Sequence, residues 1–197
     1  MEGCRSSPSR RLMVVADPTR ESAGALQYAL SHAVLEQDEL ILLHVENTSS
    51  WKNTFSTFLR RPNLQASSTG GMCMEGSAGY HVNFLEEMRI ACRVAQPKLQ
   101  VRSERVAMEG KEKAVTILSQ SKALGIDVLI IGQRRSLSSA ILGYKRPGGL
   151  TRGAKSIDTA EYLIENSKCT CVGVQRKGQN AGYLLNSKTQ KNFWLLA

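Results

Sequence analysis

The residues best suited to ligand chemistry in this sequence are a carboxylate and a glycine that follow short apolar runs. Asp17 and Gly132 directly follow such runs, and Val45 ends a third. If the runs are parallel strands, these residues meet at the carboxyl edge of the sheet, where ligands bind. A carboxylate there can orient a metal ion or a ribose, and a glycine lets backbone amides approach a phosphate. An equally simple role for Asp17 is to cap the helix that follows.

A second feature with chemical potential is the basic, glycine-rich segment 133–156. From Gly132 to Lys155 the chain has six basic residues and no acidic one, so this stretch supplies +6 of the net charge of +9. Charge concentrated in this way indicates an anionic ligand at one place, whereas the alternative is a solvated, flexible loop. The basic residues are Arg134, Arg135, Lys145, Arg146, Arg152 and Lys155.

Catalytic motifs are weakly represented. The segment 148–156 approaches a phosphate-binding P-loop, but Ala154 separates the glycine from Lys155 and no strand directly precedes it. No nucleophile elbow and no persuasive acid–base pair occurs. The three histidines, His32, His44 and His81, lack metal-ligand spacing, and Cys169 and Cys171 alternate as packing residues of a strand do. We therefore predict no enzyme activity and no metal site.

Composition limits the class of protein. The chain has 197 residues, 42% hydrophobic and 22% charged, which is typical of one globular domain. Its apolar runs are far shorter than the roughly 20 residues of a membrane span, and the N-terminus lacks the apolar core of a secretory signal. Five cysteines without such a signal indicate reduced thiols, so we expect a cytoplasmic protein, with the nucleus as an alternative.

Apolar runs alternate with amphipathic segments along most of the chain, which predicts βαβ units and a parallel five-stranded α/β sheet. We expect a disordered lead-in at 1–9, one domain at 10–176 and a tail at 177–197. Within the domain, 46–79 is predicted to be an irregular insertion. Its Trp51, Phe55, Phe58 and paired arginines could bind RNA, but a lid or a regulatory segment is the more usual role, so we expect no nucleic-acid partner.

Four segments together resemble the universal stress protein family: LMVVADPTRESAGAL, LILLHV, AVTILSQSKALGIDVLIIGQR and AEYLIENSKCTCVGV. The tail GYLLNSKTQKNFWLLA is similar to that of a plant branch. The resemblance implies a Rossmann-like sheet with strand order 3-2-1-4-5 and helices on both faces. It also implies a non-catalytic stress-response regulator that has protein partners and pairs as a homodimer through the last strand, Cys169–Val174.

The same resemblance implies an adenine nucleotide, ATP or AMP, with Mg²⁺ accompanying ATP. Asp17 and Val45 resemble the family's adenosine contacts, and Gly132 and Gln133 resemble the start of its phosphate loop. The loop's second glycine is replaced by Arg135, and its Gly-Ser step survives only as an echo at Gly143.

Two interpretations of this altered loop stay open. In the first, Arg135, Arg146 and Arg152, together with Lys155, replace the lost glycines as phosphate ligands. In the second, Arg135 fills the phosphate site, Asp158 repels anions, and the protein is a nucleotide-free dimeric interaction module. A very slow ATPase that depends on Asp17 is a further alternative.

Overall fold

A computed structural model of the chain describes residues 9–46, 78–108, 112–134, 158–178 and 182–196, with side chains from residue 84 in the second range. No helix within these ranges is long and apolar enough to cross a membrane. In chain order the elements are β1 (Arg11–Val15), α1 (Arg20–Tyr28), a π-helical turn (Ala29–Ala33), β2 (Glu39–Glu46), α2 (Ala78–Ala95), β3 (Gln100–Ala107), α3 (Lys113–Ala123), β4 (Val128–Gly132), α4 (Thr159–Asn166), β5 (Thr170–Arg176), β6 (Tyr183–Asn186) and β7 (Phe193–Leu195).

The described strands form one sheet in the order β3-β2-β1-β4-β5-β6-β7. The first five pair in parallel, which confirms the predicted α/β class and the predicted order of those five. After β1 the chain adds β2 and β3 on one side and then returns to add β4 and β5 on the other. The strand order therefore reverses between β1 and β4, and a crevice is expected at their carboxyl ends.

The sheet is covered on both faces, as the continuous apolar runs of its inner strands require. Side chains alternate along β1, so Leu12 and Val14 pack toward α1 and α2, whereas Met13 and Val15 pack toward α3 and α4. The same alternation continues in β2 and β4, and the two cores hold the sheet rigidly between helix layers. This rigidity fixes the positions of the turns at the carboxyl edge.

The prediction of five strands is wrong, because two strands of the C-terminal tail extend the sheet. β6 pairs antiparallel with β5, and β7 pairs antiparallel with β6. Tyr183 of β6 anchors the tail: it is buried in the core beside α1, where its ring lies 5.5 Å from that of Tyr28 and 5.5 Å from that of His32. Strands of four and three residues are too short to give a readable hydrophobic period.

The predicted dimer edge, Cys169–Val174, is partly paired with another strand of the same chain, β6. Gly173 pairs with Asn186 and Val174 pairs with Leu185, so the second half of β5 is covered by β6. The interpretation of that whole segment as a free edge is therefore wrong. Among the described residues the outer edge of the sheet on this side is β7.

Candidate functional site

The turn after β1 is held by a serine that bonds in both directions. The Ser22 hydroxyl donates to the carbonyl of Val15 (2.9 Å) and accepts from the amide of Asp17 (3.0 Å). Thr19 is the N-cap of α1, since its hydroxyl accepts from the Ser22 amide. Helix capping thus falls to Thr19, and the Asp17 carboxylate remains available for other partners.

Asp17 lies between two basic side chains from other elements. Lys113 Nζ, at the start of α3, donates to Asp17 Oδ2 at 2.6 Å. His44 Nδ1, near the end of β2, lies 3.5 Å from Asp17 Oδ1. The Asp17 side chain keeps 23% of its surface exposed, so a ligand can still reach it. Residues from β1, β2 and α3 therefore converge at the carboxyl edge of the sheet.

The electrostatics of this cluster keep Asp17 ionised. Burial alone would raise the pKa of Asp17, because it disfavours the charged form. Hydrogen bonds from His44 and Lys113, together with their charge, outweigh burial and lower the pKa below its ordinary value. The site therefore carries a carboxylate at neutral pH, which can accept hydrogen bonds from a ligand.

The histidine of this cluster has a defined tautomer. His44 Nδ1 lies 2.8 Å from the carbonyl oxygen of Ala16, and a carbonyl only accepts, so Nδ1 carries the proton. The ring packs edge-on against Phe84 of α2, with centroids 5.0 Å apart. His44 is buried, and this geometry fixes it as a support of the β1 turn with its Nδ1 proton directed at Ala16 and Asp17.

Gly132 is fixed by packing against the start of α1. A Cβ at this position would lie 2.4 Å from the carbonyl carbon of Glu21 and 2.8 Å from the amide nitrogen of Ser22. No side chain fits in that space, so β4 can approach α1 this closely only with glycine. Because Ser22 also bonds Asp17, Gly132 is linked mechanically to the carboxylate site.

Gln133 points away from the reversal of strand order. Its Oε1 accepts from Nδ2 of Asn186 in β6 at 2.7 Å, and its backbone amide donates to the carbonyl of Val174. Val45, in turn, is 5% exposed and packs in the core, where it pairs with Val106 of β3. Of the nucleotide contacts predicted from sequence, the structure links Asp17 and Gly132 through Ser22, buries Val45 in the core and directs Gln133 elsewhere.

An apolar groove opens beside Asp17 on the face covered by α1 and α2. Its volume is about 540 Å³. Leu26 of α1 and Leu30 of the π-helical turn form one wall, Phe84 and Met88 of α2 form the other, and Asp17 also lines the groove. A flat apolar group that carries a hydrogen-bond donor matches this combination of walls and carboxylate.

The helix after the basic loop begins with carboxylates. Asp158 is the N-cap of α4, where its Oδ1 accepts from the amide of Ala160 at 3.3 Å, and Glu161 lies in the first turn. Two acidic side chains at a helix N-terminus disfavour a phosphate there, because they already occupy the positive end of the helix dipole.

Five of the predicted site residues lie outside the described residues: Arg135, Gly143, Arg146, Arg152 and Lys155. Within the described ranges, no cluster of three or more His, Cys, Asp or Glu residues could hold a metal ion.

Sequence reasoning missed Lys113 and gave His44 no role at the site. One signal could have found both. The helix after β3 starts at the carboxyl edge of the sheet, and His44 directly precedes Val45 at the same edge. Any charged residue at these positions is a candidate partner for Asp17.

A family model described as the universal stress protein family matches residues 8–175. No curated protein sequence matches this chain significantly.

Solved structures with low sequence identity share the fold. The hypothetical protein MJ0577 aligns with a TM-score of 0.53 and 16% identity over 86% of this chain and 98% of its own. A universal stress protein in complex with cAMP aligns with a TM-score of 0.52 and 13% identity, over 87% of this chain and 100% of its own. A universal stress protein family protein from Arabidopsis thaliana with AMP bound aligns with a TM-score of 0.50 and 13% identity, over 86% of this chain and 93% of its own. At such identities the likeness supports the fold alone.

Proposed function

The chain belongs to the universal stress protein family, and we propose that it is a regulatory protein that binds an adenine nucleotide at Asp17. The observation that carries this proposal is the partly exposed Asp17 carboxylate at the reversal of strand order, beside an apolar groove of about 540 Å³. The exocyclic amine of adenine can donate to this carboxylate while the ring lies against apolar side chains. Two proteins that share the fold are described with cAMP and AMP bound, which supports the choice of ligand.

Lys113 modifies this site. Its ammonium holds Asp17 at 2.6 Å, so a nucleotide that contacts the carboxylate must share it with Lys113 or displace that side chain. A free cation beside the bound nucleoside would then attract its phosphates. The acidic start of α4 acts in the opposite direction, so phosphate binding depends on the basic segment 133–156 that follows β4.

We further propose that the protein acts by binding rather than by turnover. The nearest candidate base, His44, is buried, with 8% of its side chain exposed, and Asp17 is paired with Lys113. The pairing lowers the pKa of Asp17 and makes it a weak base, and burial limits the access of water to His44. A role in stress responses, a location in the cytoplasm or nucleus, Mg²⁺ with ATP, a homodimer and the plant-type tail stay predictions from the family resemblance.

Calorimetric titration with ATP, ADP and AMP, with and without Mg²⁺, tests nucleotide binding. We expect saturable binding that Asp17→Asn weakens about tenfold, the equivalent of one lost hydrogen bond to a charged group. Asp127→Asn is the matched control, because Asp127 lies at the opposite end of the sheet, where it accepts from the amide of Arg11. Equal affinities for the two variants would contradict the assignment of Asp17.

Release of phosphate from ATP separates a binding protein from a slow ATPase. We expect no release above the background of a buffer blank. Steady release that disappears in Asp17→Asn, but persists in Asp127→Asn, would favour the ATPase alternative.

A further inference from the structure

The outer strand of the sheet, β7, has an exposed apolar edge. Its side facing away from β6 has no strand partner among the described residues. Phe193 and Trp194 expose 47% and 53% of their surfaces, and the following Leu196 exposes 81%. A strand at a sheet edge presents a row of backbone N–H and C=O groups to any extended chain. Such an edge usually avoids large apolar side chains, which marks this one for a partner.

The apolar side chains of this edge lie on both faces of the sheet. Leu184 pairs with Trp194, so Trp194 lies on the face that carries α4. Phe193 pairs with Leu185, and both lie on the opposite face, which carries α1. Because the side chains of an added strand also alternate between faces, such a strand would find an aromatic neighbour on each.

The edge is pre-organised rather than frayed. Asn186 Oδ1 accepts from the amide of Asn192 at 2.7 Å, and the Ser187 amide donates to the carbonyl of Gln190 at 2.6 Å. Asn192 adopts a left-handed backbone conformation with φ 55°, which this bond to Asn186 stabilises. With Tyr183 buried beneath it, the β6–β7 hairpin presents a fixed strand at low entropic cost to a partner.

Charge around the edge selects the partner. Lys188 and Lys191 lie in the turn that leads into β7, and the Lys177 ammonium lies 5.9 Å from the centroid of the Trp194 ring. The chain has no acidic residue from 166 to 197. A second copy would bring the same lysines and a net charge of +9, so like-charge repulsion disfavours self-pairing. An acidic chain is attracted at the same place.

We propose that the outer edge of β7 is a strand-addition site for an extended segment of a protein partner in which a short apolar run is flanked by acidic residues. In this mode, backbone hydrogen bonds provide affinity, while side chains on alternate faces provide specificity. Phe193 and Trp194 contact the apolar residues, and Lys188 and Lys191 contact the acidic ones. The proposal does not depend on nucleotide binding, because β7 lies at the far side of the sheet from the reversal of strand order.

Fluorescence of Trp194 reports binding at this edge. The chain has two tryptophans, and the Trp51→Phe substitution leaves Trp194 as the single source of tryptophan emission. The probe is a capped synthetic peptide with a central run of valines flanked by glutamates, about seven residues long, which is a common strand length. We expect a saturable change in emission that weakens as salt is raised. Absence of binding by protein with an unchanged circular dichroism spectrum would overturn the proposal.

Two further peptides separate strand addition from charge alone. A peptide with lysine in place of glutamate should not bind, and equal binding by it would refute the selection for acid. A peptide that keeps the flanking glutamates but has proline in place of each valine lacks backbone N–H donors throughout its central run. If it binds as well as the valine peptide, the lysines form a simple anion patch and strand addition is wrong.

Charge reversal provides the matched variants. In Lys188→Glu with Lys191→Glu, we expect affinity for the acidic peptide to fall about tenfold, consistent with two exposed ion pairs. Lys122→Glu with Lys168→Glu, which places the same charge change elsewhere on the fold, should leave the affinity unchanged.

Sedimentation equilibrium tests whether a second copy of the chain occupies the edge instead. If the unmodified protein self-associates and Trp194→Ser abolishes this, a second copy occupies the edge and our proposal is wrong.

Discussion

Replacing Gly132 by alanine should push α1 away from the sheet. The new Cβ would lie 2.4 Å from the carbonyl carbon of Glu21 and 2.8 Å from the Ser22 amide nitrogen, whereas ordinary contacts are 3.4–4 Å. Because the obstructing atoms are backbone, the start of α1 must shift by about 1 Å. Overpacking of this kind costs about 1–3 kcal/mol in the free energy of unfolding.

Urea denaturation followed by circular dichroism measures this loss. Gly24→Ala is the matched control, because Gly24 lies within α1 and its added Cβ would approach only the Arg176 side chain, at 3.3 Å. Alanine also favours the helix by about 1 kcal/mol there, so the control should be clearly more stable than Gly132→Ala. If Gly132→Ala is as stable as Gly24→Ala, the close approach of β4 to α1 is wrong.

Three other predictions follow from the described contacts. The pKa of Asp17 is lowered in the folded protein, so the ionised carboxylate stabilises the fold above its unfolded pKa of about 3.9, and this stabilisation is lost as pH falls through the folded value. Asp17→Asn should therefore be less stable than the unmodified protein at pH 7 by about 1–2 kcal/mol. A difference in thermal melts that does not shrink toward pH 2 would contradict this. Tyr183→Ala should cost about 3–5 kcal/mol and expose the amides of β6 to hydrogen exchange, whereas unchanged exchange would mean that the tail docks by other contacts. Burial raises the pKa of Cys92 to about 11 and that of Cys171 to about 12, so both thiols should resist iodoacetamide at pH 8 until urea is added; labelling in the native state, located by mass spectrometry, would refute their burial.

Much of the fold could be predicted because its inner strands are buried on both faces. Runs such as Leu12–Ala16 and Leu40–Val45 are continuous apolar segments, and the alternation with helices leaves few topologies for a parallel sheet. The carboxyl-edge positions of Asp17 and Gly132 follow from strand ends alone.

The remaining features depend on contacts between distant segments. Lys113 reaches Asp17 only because α3 begins at the same sheet edge as β1 ends, and no local pattern in the sequence encodes that distance. After Tyr28, helix α1 changes to a π-helical turn that begins at Ala29, where the Val34 amide donates to the Ala29 carbonyl. This turn places His32 against Tyr183, a contact between residues far apart in the chain.

The measurement that tests the central proposal most directly is calorimetric titration of the unmodified protein with AMP and ATP. We predict saturable, one-site binding of an adenine nucleotide that Asp17→Asn weakens and Asp127→Asn does not. The absence of heat at millimolar nucleotide, from protein that denatures cooperatively in urea, would contradict it. The Lys113–Asp17 ion pair would then be the closed form of a site that no longer takes a nucleotide.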